Sequence, residues 1–295
     1  MDKKKETSIE INLGFIGKEL FKYKYFIISV SILFSLAGVF YSLSLPNSYK
    51  SKALLSVPKE GSNPSIGSLA ANITGLPGVS SLLNSSVNAN AEEAYEIFRS
   101  TNFLTTFIEE YSLDKYIIAG ESVESGKVIF NENYNPETNS WKSGSKPSSQ
   151  TVLREFLDNH LSFDEDLERG FLTISIEYIS PELSKFWVEQ MVIDINNTLK
   201  NRDVTETEAS IQFLESKLKE IKDINAANVF SSLLQEEYKK LMLANSSEEY
   251  FFKTIDPPFI SEYKSSPSRA IICFFFLFSG LSLSSIIIIL RKTMS

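Results

Sequence analysis

Two long segments without any charged residue lie near the two ends of this 295-residue chain. The first runs from Tyr25 to Leu45 and the second from Ala270 to Leu290. A helix of 21 residues is about 31 Å long, which is enough to cross the roughly 30 Å hydrocarbon core of a bilayer. The first segment is too long for the apolar part of a signal peptide, and no small-residue cleavage site precedes Pro46. The sequence therefore predicts two membrane-spanning helices.

The charges at the outer ends of these segments predict their orientation. Residues 1–24 contain six lysines and four acidic residues, and Arg291 and Lys292 follow the second segment directly. Lysine and arginine next to a span remain in the cytoplasm. Both termini are therefore expected to be cytoplasmic, with residues 46–269 on the exported side of the membrane.

Composition argues against catalysis and against nucleic-acid binding. There are 37 acidic and 29 basic residues, so the chain lacks the basic excess that binds a phosphate backbone. One cysteine and one histidine exclude a disulfide framework, a cysteine zinc site and histidine-cluster chemistry within one chain. Gly120–Lys127 departs from a P-loop, because it has one residue too many between its glycines and Val128 follows the lysine. We expect no enzymatic activity, no cofactor and no metal site.

Four acidic residues close together are the one group that resembles catalytic carboxylates: Asp164, Glu165, Asp166 and Glu168. Glycosidases use two such groups on either side of the scissile bond. Nothing else in the sequence supports that chemistry, so a solvated acidic turn is the favoured interpretation. The single histidine, His160, follows a predicted helix over 151–158 and is expected to be structural.

The middle of the chain predicts both strands and helices. Apolar residues alternate over Leu172–Tyr178, which is typical of a half-buried strand, and a second strand is expected over Ser48–Val57. Ser180 followed by Pro181 is typical of a helix start, with serine at N-cap and proline at N1. Residues 60–90, rich in Gly, Ser, Asn and Pro, are expected to form a loop with at most one short helix.

The longest predicted element is a helix over 182–222, since neither Gly nor Pro occurs from position 182 to position 256. It would be about 60 Å long, more than a small domain can cover, so we expect it to project as an arm. Its second half carries apolar residues spaced like a coiled-coil seam: Ile211, Leu214, Leu218 and Ile221. We expect this seam to pack between subunits or against a second helix over 229–244, which follows a bend at Asp223–Asn228.

These predictions give an α+β fold in which two transmembrane helices flank an exported α/β base domain with a long projecting helical arm. The expected organisation is a cytoplasmic tail (1–24), a first transmembrane helix (25–45), the base domain (46–180), the arm (181–247), a return strand and Pro-rich segment of the base (248–269), a second transmembrane helix (270–290) and a cytoplasmic tail (291–295).

Both apolar segments contain small residues four positions apart, namely Ser31 and Ser35, Gly38 and Ser42, and Gly280 and Ser284. Small residues at this spacing let helices approach closely in a membrane. Helix packing through these positions is therefore a hypothesis for the two spans.

The most specific pattern lies before and within the second apolar segment. Its residues are Pro258, Ser266, Pro267 and Gly280, and in their spacing the chain resembles the Wzz-type chain-length determinants, the polysaccharide co-polymerases of Gram-negative inner membranes. The chain departs from the family pattern where Ser261 replaces a proline, Ser268 a lysine, and Ser284 and Ser285 two glycines. Further matches lie within 46–53, 98–104 and 234–257, so the resemblance follows the chain in order.

The resemblance implies a non-catalytic regulator of surface polysaccharide chain length, as in lipopolysaccharide O-antigen biosynthesis. Family members form homo-oligomeric rings in the cell inner membrane, with the arms in the periplasm, and set the modal length of a glycan made by a Wzy-type polymerase. The implied partners are other copies of the chain, the polymerase and the polysaccharide. The alternative with the same topology is a two-span inner-membrane adaptor or binding protein in export or adhesion.

Overall fold

The computed structural model describes residues 21–56, 92–142, 144, 146–166, 169–247 and 249–293. The predictions for most of the 1–24 tail, for the 60–90 loop and for Glu168 lie outside these residues, as does the end of the 291–295 tail. The described residues divide into two compact units. One contains the chain up to Asn47 and from Ser265 onward, and the other contains residues 48–264.

The elements follow one another in an order that mixes helices and strands. They are α1 (Lys24–Ser44), β1 (Tyr49–Ser56), α2 (92–99), α3 (Thr101–Glu110), α4 (Leu113–Ala119), β2 (Gly120–Glu124), β3 (Lys127–Phe130), β4 (Tyr134–Asn135), β5 (Ser140–Trp141), α5 (Ser149–Glu155) with a π-helical turn (Phe156–His160), β6 (Leu161–Asp166), β7 (Phe171–Tyr178), α6 (Pro181–Glu220), α7 (Ile224–Ser246), β8 (Lys253–Asp256) and α8 (Arg269–Thr293).

The first unit is a pair of helices, α1 and α8, each long and apolar enough to cross a membrane. The residues that they bury are mostly small: Ser31, Gly38 and Ser42 on α1, and Gly280 and Ser284 on α8, together with Ile288. A Cβ atom at Gly38 would lie 2.7 Å from Phe276 Cβ, so only glycine permits this approach. The two long apolar helices expected at the ends of the chain are confirmed.

The second unit is built on a four-stranded antiparallel sheet with the strand order β6-β7-β1-β8. β1 pairs with β7 along its whole length, with Tyr49 opposite Tyr178 and Ser56 opposite Phe171. β8 pairs with the other edge of β1. Because β1 follows the first apolar helix and β8 precedes the second, the sheet is assembled from both ends of the segment between the spans, as the sequence predicts.

The core of this unit lies between the sheet and the first half of α6. The alternation over Leu172–Tyr178 is confirmed, since Leu172, Ile174, Ile176 and Tyr178 are all buried. Trp187 packs on Tyr178 with ring centroids 4.7 Å apart. Phe186 is 41% exposed and contacts the ring of Tyr111, because it lies beside the buried face of α6, which carries Ser184, Trp187 and Val188.

A buried asparagine fastens the returning chain to α6. Asn196 Nδ2 donates to Phe252 O at 2.9 Å, and Asn196 Oδ1 accepts from the backbone N–H groups of Phe251 and Phe252, each at 2.9 Å. Both polar atoms of the amide are therefore satisfied, as a buried polar side chain requires. Phe252 itself is completely buried, so the segment before β8 is part of the core.

The two helices of the arm meet at a shorter turn than expected. α6 begins as predicted, with Ser180 Oγ accepting from Leu183 N at 3.3 Å, and its 40 residues give a length of about 60 Å. The predicted bend over 223–228 is wrong in position, because Asp223 Oδ1 accepts from Ala226 N at 2.8 Å and caps α7. The second helix therefore begins at Ile224, five residues before the predicted start.

Two hairpins follow α4 in the chain. Ser125 and Gly126 have φ values of 51° and 77°, which suit a two-residue hairpin turn and let β2 pair with β3. Within residues 131–150, whose composition is that of a surface loop, β4 and β5 form a second hairpin. It is ordered because the ring of Tyr134 is buried between Phe130 and Trp141, with ring centroids 5.0 and 5.4 Å apart.

Candidate functional site

The acidic residues at 164–166 lie in a strand rather than in the predicted turn. Asp164, Glu165 and Asp166 belong to β6, and Glu165 forms an ion pair with Arg99, whose guanidinium lies 5.3 Å from the centre of the Phe163 ring. The alternation of strand side chains therefore places Glu165 on the opposite face of β6 from Asp164 and Asp166. Over the described part of the chain, no group of three His, Cys, Asp or Glu side chains could hold a metal ion.

His160 has the structural role expected from the sequence. Its Nδ1 lies 2.8 Å from Glu177 O on β7, and its ring packs against Tyr178 with centroids 5.7 Å apart. The histidine thus ties the π-helical turn to the neighbouring strand.

The four residues of the second-span pattern are divided between the two units. Pro258 follows β8 in the sheet unit, where Ser51 Oγ donates to the adjoining Phe259 O at 2.9 Å. The other three residues belong to the two-helix unit: Ser266 and Pro267, joined by a cis peptide bond, precede α8, and Gly280 lies three turns into it. At the start of α8, Arg269 Nη2 donates to Asn47 Oδ1 at 3.1 Å.

Gly280 faces α1 of the same chain. A Cβ atom built at this position would lie 2.9 Å from Phe34 Cβ and 3.0 Å from Ser31 Cα. The second distance involves backbone, which cannot move aside as a flexible side chain can. Glycine is therefore required for the observed closeness of the two helices, which agrees with the role of small residues in membrane helix packing.

The four residues of the arm seam differ in their burial. Ile211 is buried, whereas Leu214, Leu218 and Ile221 are half-buried. α6 and α7 pack on one another, with Tyr238 Oη donating to Glu215 Oε1 at 2.8 Å. Leu214 lies with Leu233 on the wall of an open groove between the two helices.

Large apolar side chains remain exposed on both helices of the arm. They include Phe213, Ile224, Val229, Leu233 and Met242, with Met242 72% exposed. Apolar surface that a single chain leaves uncovered is typical of a site for a partner. The arm therefore has less intramolecular cover than the base.

A polar groove between α3 and the first half of α6 was not predicted from the sequence. It has a volume of about 290 Å³, and it is lined by Ile97, Ser100, Asn102, Phe103, Thr106, Phe107, Glu110, Asp194, Asn197, Thr198 and Asn201. Four of these residues, Asp194, Asn197, Thr198 and Asn201, recur on α6 at the spacing of one helix face. This polar face of α6 is the signal from which the groove could have been predicted. It lies beside the apolar face, whose pattern is the stronger one in this helix.

Asp194 has the most unusual environment in this groove. Burial raises the pKa of its carboxyl, and Glu110 adds to the effect, whereas hydrogen bonding from the nearby Tyr111 hydroxyl opposes it. Gln190 Oε1, 3.2 Å from Tyr111 Oη, is a second acceptor for the same single hydroxyl proton. Burial, and then the hydrogen bond to Asp194, raise the pKa of Tyr111 to about 12, so this hydroxyl keeps its proton.

Comparison with known proteins gives one family match. Residues 9–111 match the model of the Wzz family, described as chain length determinant protein. No curated protein sequence matches the chain.

Among solved structures, a full-length bacterial polysaccharide co-polymerase aligns at 13% identity over 94% of this chain and 96% of its own, with a TM-score of 0.37. A fragment of WzzB, a polysaccharide co-polymerase from Salmonella Typhimurium, aligns at 13% identity over 75% of this chain and 100% of its own, with a TM-score of 0.31. A Wzz dodecamer fitted to a cryo-EM map aligns at 12% identity over 74% and 100%, with a TM-score of 0.26.

The segment matched by the family model contains the first apolar helix, β1 and the helices up to Tyr111. It is separate from the second-span pattern that most specifically carries the resemblance in the sequence. The resemblance is therefore confirmed: over residues 9–111 this chain matches the Wzz family of chain length determinant proteins.

Proposed function

We propose that this protein regulates the chain length of an O-antigen-like surface polysaccharide, without itself catalysing bond formation. The observation that carries the proposal is the match of residues 9–111 to the chain length determinant family. The paired apolar helices and the sheet that joins β1 to β8 support it, since they give one membrane-anchored base. Pro258, Ser266, Pro267 and Gly280 are then the residues that set the second span.

The proposed location is the cell inner membrane, with both termini in the cytoplasm and residues 46–269 in the periplasm. The lysines of residues 1–24, together with Arg291 and Lys292, support this orientation. Alkaline phosphatase is active only in the periplasm, so a fusion within 139–146 should be active and a fusion after Ser295 inactive. The reverse pattern would contradict the orientation.

The proposed working form is a homo-oligomeric ring that acts with a Wzy-type polymerase on the growing polysaccharide. The exposed apolar residues of the arm support self-association, since other copies of the same arm can cover them. The seam at Ile211, Leu214, Leu218 and Ile221 is proposed to contribute to this packing through the α6–α7 pair.

The test is deletion of the gene in its own host, followed by electrophoresis of the surface polysaccharide. Loss of modal banding, restored by a plasmid copy, supports length regulation. Unchanged banding contradicts it and favours the adaptor or binding-protein alternative in export or adhesion.

A further inference from the structure

Three large apolar side chains are exposed in the segment that leads from the sheet to the second span. Phe259 and Ile260 are each 51% exposed, and Tyr263 is 83% exposed. We call these three residues the return patch. They lie between β8 and α8, where residues 257–264 form neither helix nor strand. So much exposed apolar surface in so short a segment is typical of contact with a partner.

The backbone of the return patch is held by serine side chains. Ser51 Oγ on β1 donates to Phe259 O at 2.9 Å, and Ser261 Oγ donates to Tyr263 O at 2.8 Å. The exposed side chains therefore belong to a segment that is fastened to a central strand of the sheet. Because these two carbonyls already have donors, the segment loses less when it lies where water is scarce.

The covalent chain limits how far the return patch can lie from the outer ends of the two spans. Those ends meet where Arg269 Nη2 donates to Asn47 Oδ1 at 3.1 Å. Tyr263 is six residues before Arg269, which allows at most about 22 Å between their Cα atoms at roughly 3.6 Å per extended residue. Ser51, which binds the Phe259 carbonyl, is four residues after Asn47, a reach of about 14 Å. The lipid headgroups around the spans are therefore within reach of the return patch.

The composition of the segment favours the membrane surface as its partner. Tyrosine is enriched where a membrane meets water, because its ring is apolar and its hydroxyl is polar. Glu262 and Lys264 are exposed beside Tyr263, and charged side chains of these types are costly in the hydrocarbon core and depleted at the centre of protein interfaces. Pro257 and Pro258 have no N–H group to satisfy. The segment therefore suits the headgroup region better than the hydrocarbon core or the surface of a second copy.

We propose that the return patch inserts into the headgroup region of the membrane, on the side that carries residues 46–269, with Phe259, Ile260 and Tyr263 against lipid. This inference rests on insertion of the two spans and is independent of the proposed role in polysaccharide length. The chain then contacts the bilayer through a part of the sheet unit as well as through α1 and α8.

The test uses the full chain in vesicles of phosphatidylethanolamine and phosphatidylglycerol, with one nitroxide label per chain. Cys273 is the single cysteine, so Cys273→Ser gives a thiol-free background for Ile260→Cys. EPR then compares collisions of the label with oxygen, which concentrates in lipid, and with a water-soluble nickel chelate. The oxygen-to-nickel ratio for Ile260→Cys should be several-fold higher than for Gln212→Cys, at an exposed polar position of α6.

The wild-type chain labelled at Cys273 is the reference for the second span, and it should give the ratio of a label in lipid. A water-like ratio at Cys273 would contradict insertion of the span, and the inference with it. A lipid-like ratio at Cys273 together with a water-like ratio for Ile260→Cys would contradict the return patch alone. If the label of Ile260→Cys collides with neither reagent, protein covers the patch and the inference is wrong. Broadening of the spectrum by labels on neighbouring chains would then identify a second copy as the cover.

A second pair of variants tests whether apolar side chains hold the segment in the membrane. With the label at Tyr263→Cys, Phe259→Asp should lower the oxygen-to-nickel ratio to that of Gln212→Cys, because a carboxylate favours water. Phe259→Leu, which keeps an apolar side chain, is the matched control and should leave the ratio unchanged. An unchanged ratio in Phe259→Asp would contradict the inference. Tyr263→Cys, at the most exposed residue of the patch, also repeats the first test should Ile260→Cys not fold.

Discussion

The two halves of α6 share one continuous backbone but have different surroundings. In the first half, Trp187, Met191 and Ile195 are buried against the sheet and the helices of the base. After Leu199, Ile211 is the one residue of the helix that is buried, and the neighbouring Phe213 is 57% exposed. The base is therefore stabilised within one chain, whereas the arm has apolar surface left for a partner. Substitutions in the first half should therefore lower the stability of the fold, and substitutions in the second half should change self-association.

The largest effect is expected in the buried half, from Trp187→Ala. Trp187 is 1% exposed and contacts the rings of Tyr116 and Tyr178, so truncation should cost about 3–5 kcal/mol. That is a large part of the stability of a typical domain. Thermal unfolding and cellular protein level should both fall sharply. Phe186→Ala, at the exposed neighbour, is the control, and equal losses for both variants would contradict the described core.

Local signals were sufficient to predict the elements of the buried half. The alternation over Leu172–Tyr178 gave a strand because only period two places four apolar residues on one face. Ser180 and Pro181 gave the helix start through cap chemistry that needs no tertiary contact. The spans were predicted from length and absence of charge alone. The predicted bend before α7 is misplaced because Asp223 is the N-cap residue of α7, so the turn ends there and the helix begins at Ile224.

What the sequence did not predict depends on contacts between distant residues. The polar groove needs α3 to lie beside α6, and no local pattern in either helix contains that information. The β4–β5 hairpin depends on Tyr134 packing between aromatic rings, in a segment whose composition is that of a loop. Gly280 was selected by its spacing in the chain, but its close approach to Ser31 becomes visible only in the structure.

The next effect is expected in the exposed half, from Leu214→Asp with Leu218→Asp. Both side chains are half-buried, and a carboxylate there opposes packing of α6 on α7 and of one arm on another. The base should stay folded, because its core lies elsewhere. We expect detergent-solubilised complexes to become smaller, or the modal polysaccharide length to be lost, as measured by size-exclusion chromatography with light scattering and by gel.

Gln212→Asp is the control for the arm, since it introduces a carboxylate at an exposed position of the same helix. It should leave complex size and banding unchanged. If the double variant also keeps wild-type size and banding, the seam is not an interface. The exposed apolar surface in the second half of α6 would then have no role in assembly at these positions.

A smaller effect is expected in the two-helix unit from Gly280→Leu. The new side chain meets Phe34 and the backbone at Ser31, so α1 and α8 must separate. A contact between membrane helices is worth only about 1 kcal/mol, so insertion and the fold of the sheet unit should be preserved. We expect shortened or unregulated polysaccharide at normal protein level, with a milder change for Pro267→Ala. Ser279→Leu, at the exposed neighbouring position, is the control. Wild-type banding in Gly280→Leu would show that the close contact of α1 and α8 at Gly280 has no role in length regulation.

The smallest effect is expected at Asp194, within the buried half but on its polar flank. Burial raises the pKa of this carboxyl above its unfolded value of about 3.9, so the folded state holds its proton more tightly. Stability is therefore lost as the pH rises from the unfolded value through the raised folded one. Asp194→Asn has no such loss and should be more stable at pH 7, by less than about 1 kcal/mol because the group is partly screened by solvent.

Thermal unfolding from pH 4 to 8 measures this difference, which should vanish near pH 4. Glu208→Gln, which removes an exposed carboxylate from the same helix, is the control and should not show the difference. A variant that is less stable than the wild type at pH 7 would mean that the carboxylate is satisfied in the folded protein.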